Sequence, residues 1–95
     1  MSVKKTEVIL RLSAPLSERI GSRGEFMVEG DNIKECLKVA SIKFPDLEKI
    51  IWSKNEQLNS AIVIFYREEV IKENDLMRSI LNGDQIDIIP AISGG

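Results

Sequence analysis

The stretch NGDQIDIIPAISGG, residues 82–95, combines a turn, a strand and a tail of small residues. The asparagine, glycine and aspartate at 82–84 are residue types that favour turns. The isoleucine-rich residues 85–92 predict a strand, and Pro90 is expected to weaken its pairing because proline has no backbone N–H to donate. Residues 93–95 have nothing to pack with, which predicts a mobile tail.

Two short strands are predicted near the beginning of the chain. Residues 6–12 alternate in character and are rich in branched side chains, and residues 25–29 form a second apolar run between glycines. Residues 13–24 contain Pro15 and two glycines, so we expect a loop there. Together these features predict a hairpin with a long connection.

One main helix is predicted to follow. Asn32 can cap its first free N–H groups, and Glu35 three residues later resembles the second half of a capping box. Apolar residues recur at helical spacing on one face, namely Ile33, Cys36, Leu37, Ala40 and Phe44. Polar residues fall on the other side, namely Lys34, Glu35, Lys38 and Ser41. Pro45 disfavours helical geometry at the residue before it, so the helix should stop there.

The second half of the chain supplies the remaining elements. Residues 46–52 are expected to form one further helical turn. Residues 61–66 (AIVIFY) are apolar on both faces, which predicts the central strand of the sheet. Residues 70–71 fit an edge strand, and residues 74–81 fit a short helical turn. This order of elements predicts an α+β domain in which a small mixed sheet packs on one main helix.

Length and composition fit one globular domain, residues 1–92, followed by the flexible tail 93–95. The chain has 95 residues and a net charge of −2, with lysine and glutamate interspersed along it, which disfavours nucleic-acid binding. The sequence has no signal-peptide pattern and no apolar run of about 18 residues. We therefore expect a cytoplasmic protein without membrane contact.

Two residue types that serve most catalytic and metal sites are scarce. Histidine is absent, and Cys36 is the single cysteine. The usual general base at neutral pH is therefore missing, and a usual structural zinc site cannot be built. The sequence also lacks a phosphate-binding GxxxxGK[ST] loop. We expect a carrier or substrate rather than an enzyme, with no metal and no bound cofactor.

The closing segment, residues 82–95, resembles that of the β-grasp, ubiquitin-like sulfur carriers. That family includes the small subunit of molybdopterin synthase, the thiamine-pathway sulfur carrier and a carrier that serves cysteine synthesis. In it a Gly-Asp turn leads into the last strand, a proline follows, and the chain terminates on Gly-Gly. Phe44-Pro45 at the helix end and Glu68-x-Val70 after the strand agree with the same pattern.

Two positions depart from the family pattern. Tyr66-Arg67 stand where the family often has Asn-Gly or Asn-Asp. Pro90-Ala91 stand where molybdopterin-type carriers often have Pro-Pro, and this is closer to the cysteine-synthesis type. The resemblance therefore leaves the pathway open among molybdopterin, thiamine and cysteine synthesis.

The resemblance implies that Gly95 is the working residue. A ubiquitin-activating-type enzyme would join its carboxylate to AMP, so ATP is used by that partner. A sulfur donor would then form a thiocarboxylate, which passes sulfur to an acceptor enzyme such as the large subunit of molybdopterin synthase or its equivalent. Gly94 and Ser93 would thread the partner's channel, because glycine has no Cβ to crowd the acyl carbon.

A partner-binding surface is expected beside the tail, formed by Phe65, Ile89, Pro90 and Ile92. In the last strand Ile86 and Ile88 share one face and should be core, so Ile89 falls on the other face. An exposed apolar patch of this kind often marks a protein-binding site. For Phe65, ordinary burial under a loop is an equally good interpretation.

Other residues with chemical potential have simpler structural explanations. Cys36 lies on the apolar stripe of the helix and is expected to be a buried thiol. Trp52 is expected to be partly buried beside the helix end. Asp84 should serve the turn, and Asp87 should face solvent.

Two further functions stay open. The chain fits a ubiquitin-like modifier linked through Gly95 to lysines of other proteins, and this would share the adenylation step with a sulfur carrier. It also fits a β-grasp interaction module whose tail is idle. The idle-tail module predicts that removing Gly94 and Gly95 changes nothing.

Overall fold

A computed structural model describes residues 6–21 and 23–91, so Ile92 and the predicted tail 93–95 lie outside the described residues. Within these ranges five strands form one sheet in the order β2-β1-β5-β3-β4. Their bounds are β1 (Glu7–Leu12), β2 (Glu25–Glu29), β3 (Ile62–Tyr66), β4 (Glu69–Ile71) and β5 (Gln85–Pro90). β1 and β5 are parallel, and the other neighbouring strands are antiparallel, so the sheet is mixed as predicted.

The central position in the sheet belongs to β5, and the prediction that residues 61–66 form the central strand is wrong. β3 lies between β5 and the edge strand β4. The apolar side chains on both faces of β3 have another explanation, because its outer face forms part of an exposed patch described below. β5 needs only one apolar face, since the helices cover only one side of the sheet.

The main helix, α2 (Ile33–Lys43), begins and ends where the sequence predicts. Oδ1 of Asn32 accepts a hydrogen bond from the Glu35 N–H at 2.8 Å. The Glu35 carboxylate reaches back to the Asp31 N–H at 3.2 Å, one residue beyond the usual capping-box partner. The four apolar residues Ile33, Cys36, Leu37 and Ala40 are completely buried. Ser41, predicted on the polar side, is instead buried, and its hydroxyl donates to the Leu37 carbonyl oxygen at 2.9 Å.

The predicted loop over residues 13–24 is wrong, because a helix, α1 (Ala14–Ile20), occupies most of it. Pro15 lies in the first turn, where a missing N–H leaves no hydrogen bond unmade. Gly21 ends the helix in the left-handed conformation, with φ of 65°. Proline and glycine, the residue types that predict a loop here, therefore mark the two ends of the helix, and Leu16 is buried in the core.

A third helix, α3 (Pro45–Ile51), forms where the further helical turn is predicted, shifted by one residue. Pro45 both stops α2 and begins α3, as its fixed φ permits at a first helical position. The helix contributes three buried side chains to the core, namely Leu47, Ile50 and Ile51. After a loop and β4, a short 3₁₀ helix spans Glu73–Asp75.

Among the described residues no helix combines the length and apolar character needed to cross a membrane. The same residues contain no cluster of three acidic or cysteine side chains with the spacing to hold a metal ion.

Candidate functional site: the tail exit and the outer face of the sheet

The chain leaves the sheet at Ala91, next to the predicted tail. The Ala91 N–H donates to the carbonyl oxygen of Ala61 at 2.8 Å, one residue beyond the end of β5. Ser93, Gly94 and Gly95 lie outside the described residues, so the structure fixes only the point from which they start. This anchor holds the base of the tail against the start of β3.

Pro90 ends β5 without disturbing the sheet. Successive residues of a strand direct their backbone groups to alternate neighbours, so the ring nitrogen of Pro90 faces the side of β1. β1 has already ended there, because Leu12 pairs with Ile88, two residues before the proline. The missing N–H therefore leaves no ladder bond unmade, and Pro90 is tolerated in an interior strand.

Four apolar side chains form a contiguous patch on the sheet face that the helices leave uncovered. We define this outer-face patch as Val63, Phe65, Val70 and Ile89. Val63 pairs with Ile89, and Phe65 pairs with Val70. Cross-strand partners of this kind have Cβ atoms about 5 Å apart, so the two side chains of each pair lie next to each other on this face. Val70 is 48% exposed and the other three are partly exposed.

A polar row borders the outer-face patch toward β1. Asp87 pairs with Phe65 on one side and with Arg11 on the other. The Arg11 guanidinium lies 3.8 Å from an Asp87 carboxylate oxygen, and Gln85 Nε2 donates to the same carboxylate at 3.1 Å. Asp87 is partly exposed, and its carboxylate is paired with Arg11 and Gln85. An apolar centre with a charged rim is the usual make-up of a protein-binding surface.

The start of β5 is fixed by a network around Asp84, at the end of the sheet opposite to the tail. The Asp84 carboxylate accepts hydrogen bonds from the Tyr66 hydroxyl at 2.5 Å and from the Leu81 N–H at 2.9 Å. Arg67 lies 3.3 Å from the same group. Asp84 therefore serves the turn, as predicted, and also ties it to β3.

Charge and hydrogen bonding set the pKa values in this network. Desolvation would raise the pKa of Asp84, but the hydrogen bonds from Tyr66, Leu81 and Arg67, with the Arg67 charge, outweigh it and lower the pKa. Burial raises the pKa of Tyr66, and the neighbouring Asp84 raises it further. Both shifts favour a tyrosine hydroxyl that donates to an ionised carboxylate.

Cys36 is a buried thiol, as predicted. Burial raises its pKa to about 12, and the nearby acidic groups Glu35 and Asp31 contribute to the same shift. Because the thiolate is the reactive form, this sulfur is inert at neutral pH.

The predicted partner residues are only partly brought together. Phe65 and Ile89 share the outer-face patch, whereas Pro90 pairs with the core residue Ile62 and so belongs to the opposite face. Ile92 lies outside the described residues. Val63 and Val70 were not assigned to this surface from the sequence, although the alternation of β3 places Val63 on the same face as Phe65.

The mixed sheet crossed by one main helix, with the chain leaving from the central strand, defines a ubiquitin-like β-grasp protein. The sequence profile of the ThiS family matches residues 10–95. The chain belongs to the ThiS family, a group of small ubiquitin-like sulfur carriers and modifiers whose members are generally non-catalytic. Among curated proteins no sequence matches.

Solved structures with the same fold include three from different organisms. Small archaeal modifier protein 1 from Methanosarcina acetivorans is 27% identical, with a TM-score of 0.82 over 98% of this chain and 100% of that one. A chain of the BexX/CysO complex from Amycolatopsis orientalis is 21% identical, with a TM-score of 0.77 over 93% and 99%. A putative molybdopterin converting factor, subunit 1, from Pyrococcus furiosus is 11% identical, with a TM-score of 0.68 over 92% and 99%. At such identities the last two establish the fold alone.

Proposed function

We propose that this protein is a cytoplasmic sulfur carrier whose Gly95 carboxylate is activated by a partner enzyme and converted to a thiocarboxylate. The observation that carries the proposal is the ThiS-family match, which runs through the segment Ser93-Gly94-Gly95. The Ala91 anchor supports it, because the tail starts from a fixed point at the centre of the sheet.

The first step is adenylation. The α-carboxylate of a chain terminus has a pKa of about 3.5, so it is ionised at neutral pH. One of its oxygens attacks the α-phosphorus of ATP in the partner's site, and the bond to the departing pyrophosphate breaks. The product is an acyl-adenylate on Gly95, in which AMP is a good leaving group.

Sulfur enters in the second step. Hydrosulfide attacks the acyl carbon, AMP leaves, and a thiocarboxylate forms after loss of the sulfur proton. A persulfide donor gives an acyl disulfide instead, and a thiol then reduces its S–S bond to release the thiocarboxylate. The acceptor enzyme receives this sulfur in a molybdopterin-like, thiamine or cysteine pathway.

The chain's own residues position the reacting carbon. Gly94 and Gly95 have no Cβ, so an extended tail can enter a narrow channel. The outer-face patch would contact the activating enzyme beside that channel, with Ile89 only six residues from the reacting carboxylate. Ile92 and Pro90 would contact the channel mouth.

A second candidate function is a protein modifier linked through Gly95 to lysines. The 27% identity to small archaeal modifier protein 1 favours it. Both functions begin with adenylation and diverge afterwards, since a lysine amine replaces the sulfur donor as the nucleophile. Higher-mass conjugates in cell extract that vanish on deletion of Gly94 and Gly95 would support the modifier.

Pyrophosphate–ATP exchange tests the shared first step. An activating enzyme from the same organism should catalyse exchange only when this chain is present, and deletion of Gly95 should abolish it. No exchange with the intact chain, from an enzyme shown to activate another carrier, would contradict both functions and favour the idle-tail interaction module.

A further inference from the structure

The helical side of the molecule carries an open groove of about 1020 Å³. One wall is a stripe of α2 that comprises Lys34, Lys38 and Ile42, spaced four residues apart. The other wall consists of α3 with Trp52 and the loop that follows it. An open groove between two helices suits an extended peptide segment.

The lining of the groove includes an apolar part. Ser41 also lines the groove, and its hydroxyl already donates to the Leu37 carbonyl oxygen, so it presents little polarity to an occupant. Ile42 is 81% exposed at the lip, and Pro45 and Trp52 also line the hollow. An exposed isoleucine beside a partly buried tryptophan is the kind of apolar surface that marks a binding site.

Positive charge surrounds this apolar centre. The groove is lined by four lysines, Lys34, Lys38, Lys49 and Lys54, and by two glutamates, Glu48 and Glu56. Over residues 6–21 and 23–91 no ion pair joins any of these lysines to a carboxylate. The protein as a whole has a net charge of −2, so the groove is locally positive on an acidic molecule.

The loop wall is held in place before any partner binds. The Ser53 N–H donates to the Gln57 carbonyl oxygen at 2.8 Å, and the Leu58 N–H donates to Glu73 at 2.7 Å. Glu56 adopts φ of 59°, a left-handed conformation that a non-glycine residue keeps only when its surroundings impose it. A wall that is already ordered loses little entropy on binding.

We propose that this groove is a docking site for an acidic segment of a partner protein, bound by one bulky apolar side chain between flanking carboxylates. The apolar anchor would contact Ile42 and Trp52, and the carboxylates would pair with Lys38 and Lys49. The groove and the outer-face patch lie on opposite sides of the sheet, so both can be occupied at once. This inference does not depend on the sulfur chemistry of Gly95.

Fluorescence of Trp52, the single tryptophan, reports on the groove directly. The probe is a short amphipathic peptide that presents glutamates beside a leucine stripe, titrated at low ionic strength. We expect a saturable change in emission that weakens as salt is added. The paired variant Lys38→Glu with Lys49→Glu should bind about tenfold more weakly.

Lys43→Glu is the matched control, because Lys43 lies on the same helix but faces β2, where its ammonium donates to the Met27 carbonyl oxygen. It should change the affinity by less than about twofold. The proposal is overturned if the peptide gives no saturable change, or if Lys43→Glu weakens binding as much as the groove variant. If glutarate changes the Trp52 emission as much as the peptide does, the groove binds small anions and the proposal is overturned. If the protein forms a salt-sensitive dimer that the groove variant loses, the occupant is a second copy of this chain and the proposal is likewise overturned.

Discussion

The hydroxyl of Tyr66 donates to the carboxylate of Asp84 across a distance of 2.5 Å, although the two residues are 18 positions apart in sequence. The bond joins the last residue of β3 to the turn that starts β5. The Tyr66 ring is buried, and the guanidinium groups of Arg67 and Arg78 lie about 5.5 Å from its centre. The strand that carries the tail is thus held at both ends, by Asp84 and by Ala91.

Tyr66→Phe should destabilise the protein by about 1–2 kcal/mol, because a hydrogen bond to a charged group is lost while the ring remains in place. Urea unfolding measures this change. A double-mutant cycle that combines Tyr66→Phe with Asp84→Asn isolates the interaction energy between the two side chains. Equal stability of the parent and Tyr66→Phe would show that the bond contributes nothing.

The lowered pKa of Asp84 predicts loss of stability in acid. A carboxylate whose pKa is lower in the folded state stabilises fully above its unfolded pKa of about 3.9, and this stabilisation is lost as pH falls through the folded value. The stability difference between the parent and Asp84→Asn should therefore be constant near pH 7 and shrink below about pH 4. Thermal unfolding across this range measures it, and a difference independent of pH would refute the network.

Gly21→Ala tests the helix that sequence reasoning missed. Gly21 has φ of 65° with open space around it, so an added Cβ meets backbone strain and no neighbour. We expect a loss of about 1 kcal/mol. Gly24→Ala is the control, because its Cβ would only reach ordinary contact with the Leu12 carbonyl oxygen at 3.5 Å. Similar stability of the two variants would argue against the α1 boundary.

Ile89→Glu should block activation by the partner enzyme and leave the fold intact, since Ile89 belongs to the outer-face patch. Met27→Glu is a matched control on the same sheet face, where Met27 is 45% exposed on the edge strand β2. We expect the rate of pyrophosphate–ATP exchange to fall at least about tenfold in Ile89→Glu and to stay unchanged in Met27→Glu. Circular dichroism checks the fold, and an unfolded Ile89→Glu or an unaffected exchange rate would both count against the proposed surface.

Local sequence signals predicted most of this fold. β2 and α2 were placed within one residue, because glycines bound the first and Asn32 and Pro45 bound the second. α1 was missed because its apolar side is a single i, i+4 pair, buried Leu16 and partly buried Ile20, which is too short a pattern to outweigh the proline and glycines around it. The central place of β5 could not be predicted, since strand order depends on pairing between distant segments.

The candidate sites were predicted unevenly for the same reason. Phe65 and Ile89 follow from alternation along single strands, whereas Val70 joins them only through the β3–β4 pairing. The lysine-lined groove was not predicted, because its walls come from α2, α3 and a later loop. Ser41, which lines the groove, is predicted on an exposed face from the sequence, but α3 packs against α2 and the serine is buried.

The intact mass of the protein after incubation with ATP, its activating enzyme and a sulfur donor shows whether Gly95 carries sulfur. A sulfur carrier should show an increase that corresponds to one carboxylate oxygen replaced by sulfur, and this increase should be absent when Gly95 is deleted. Buried Cys36 should not contribute, and Cys36→Ala should give the same increase. An unchanged mass, with an enzyme shown to activate another carrier, would contradict the sulfur-carrier function.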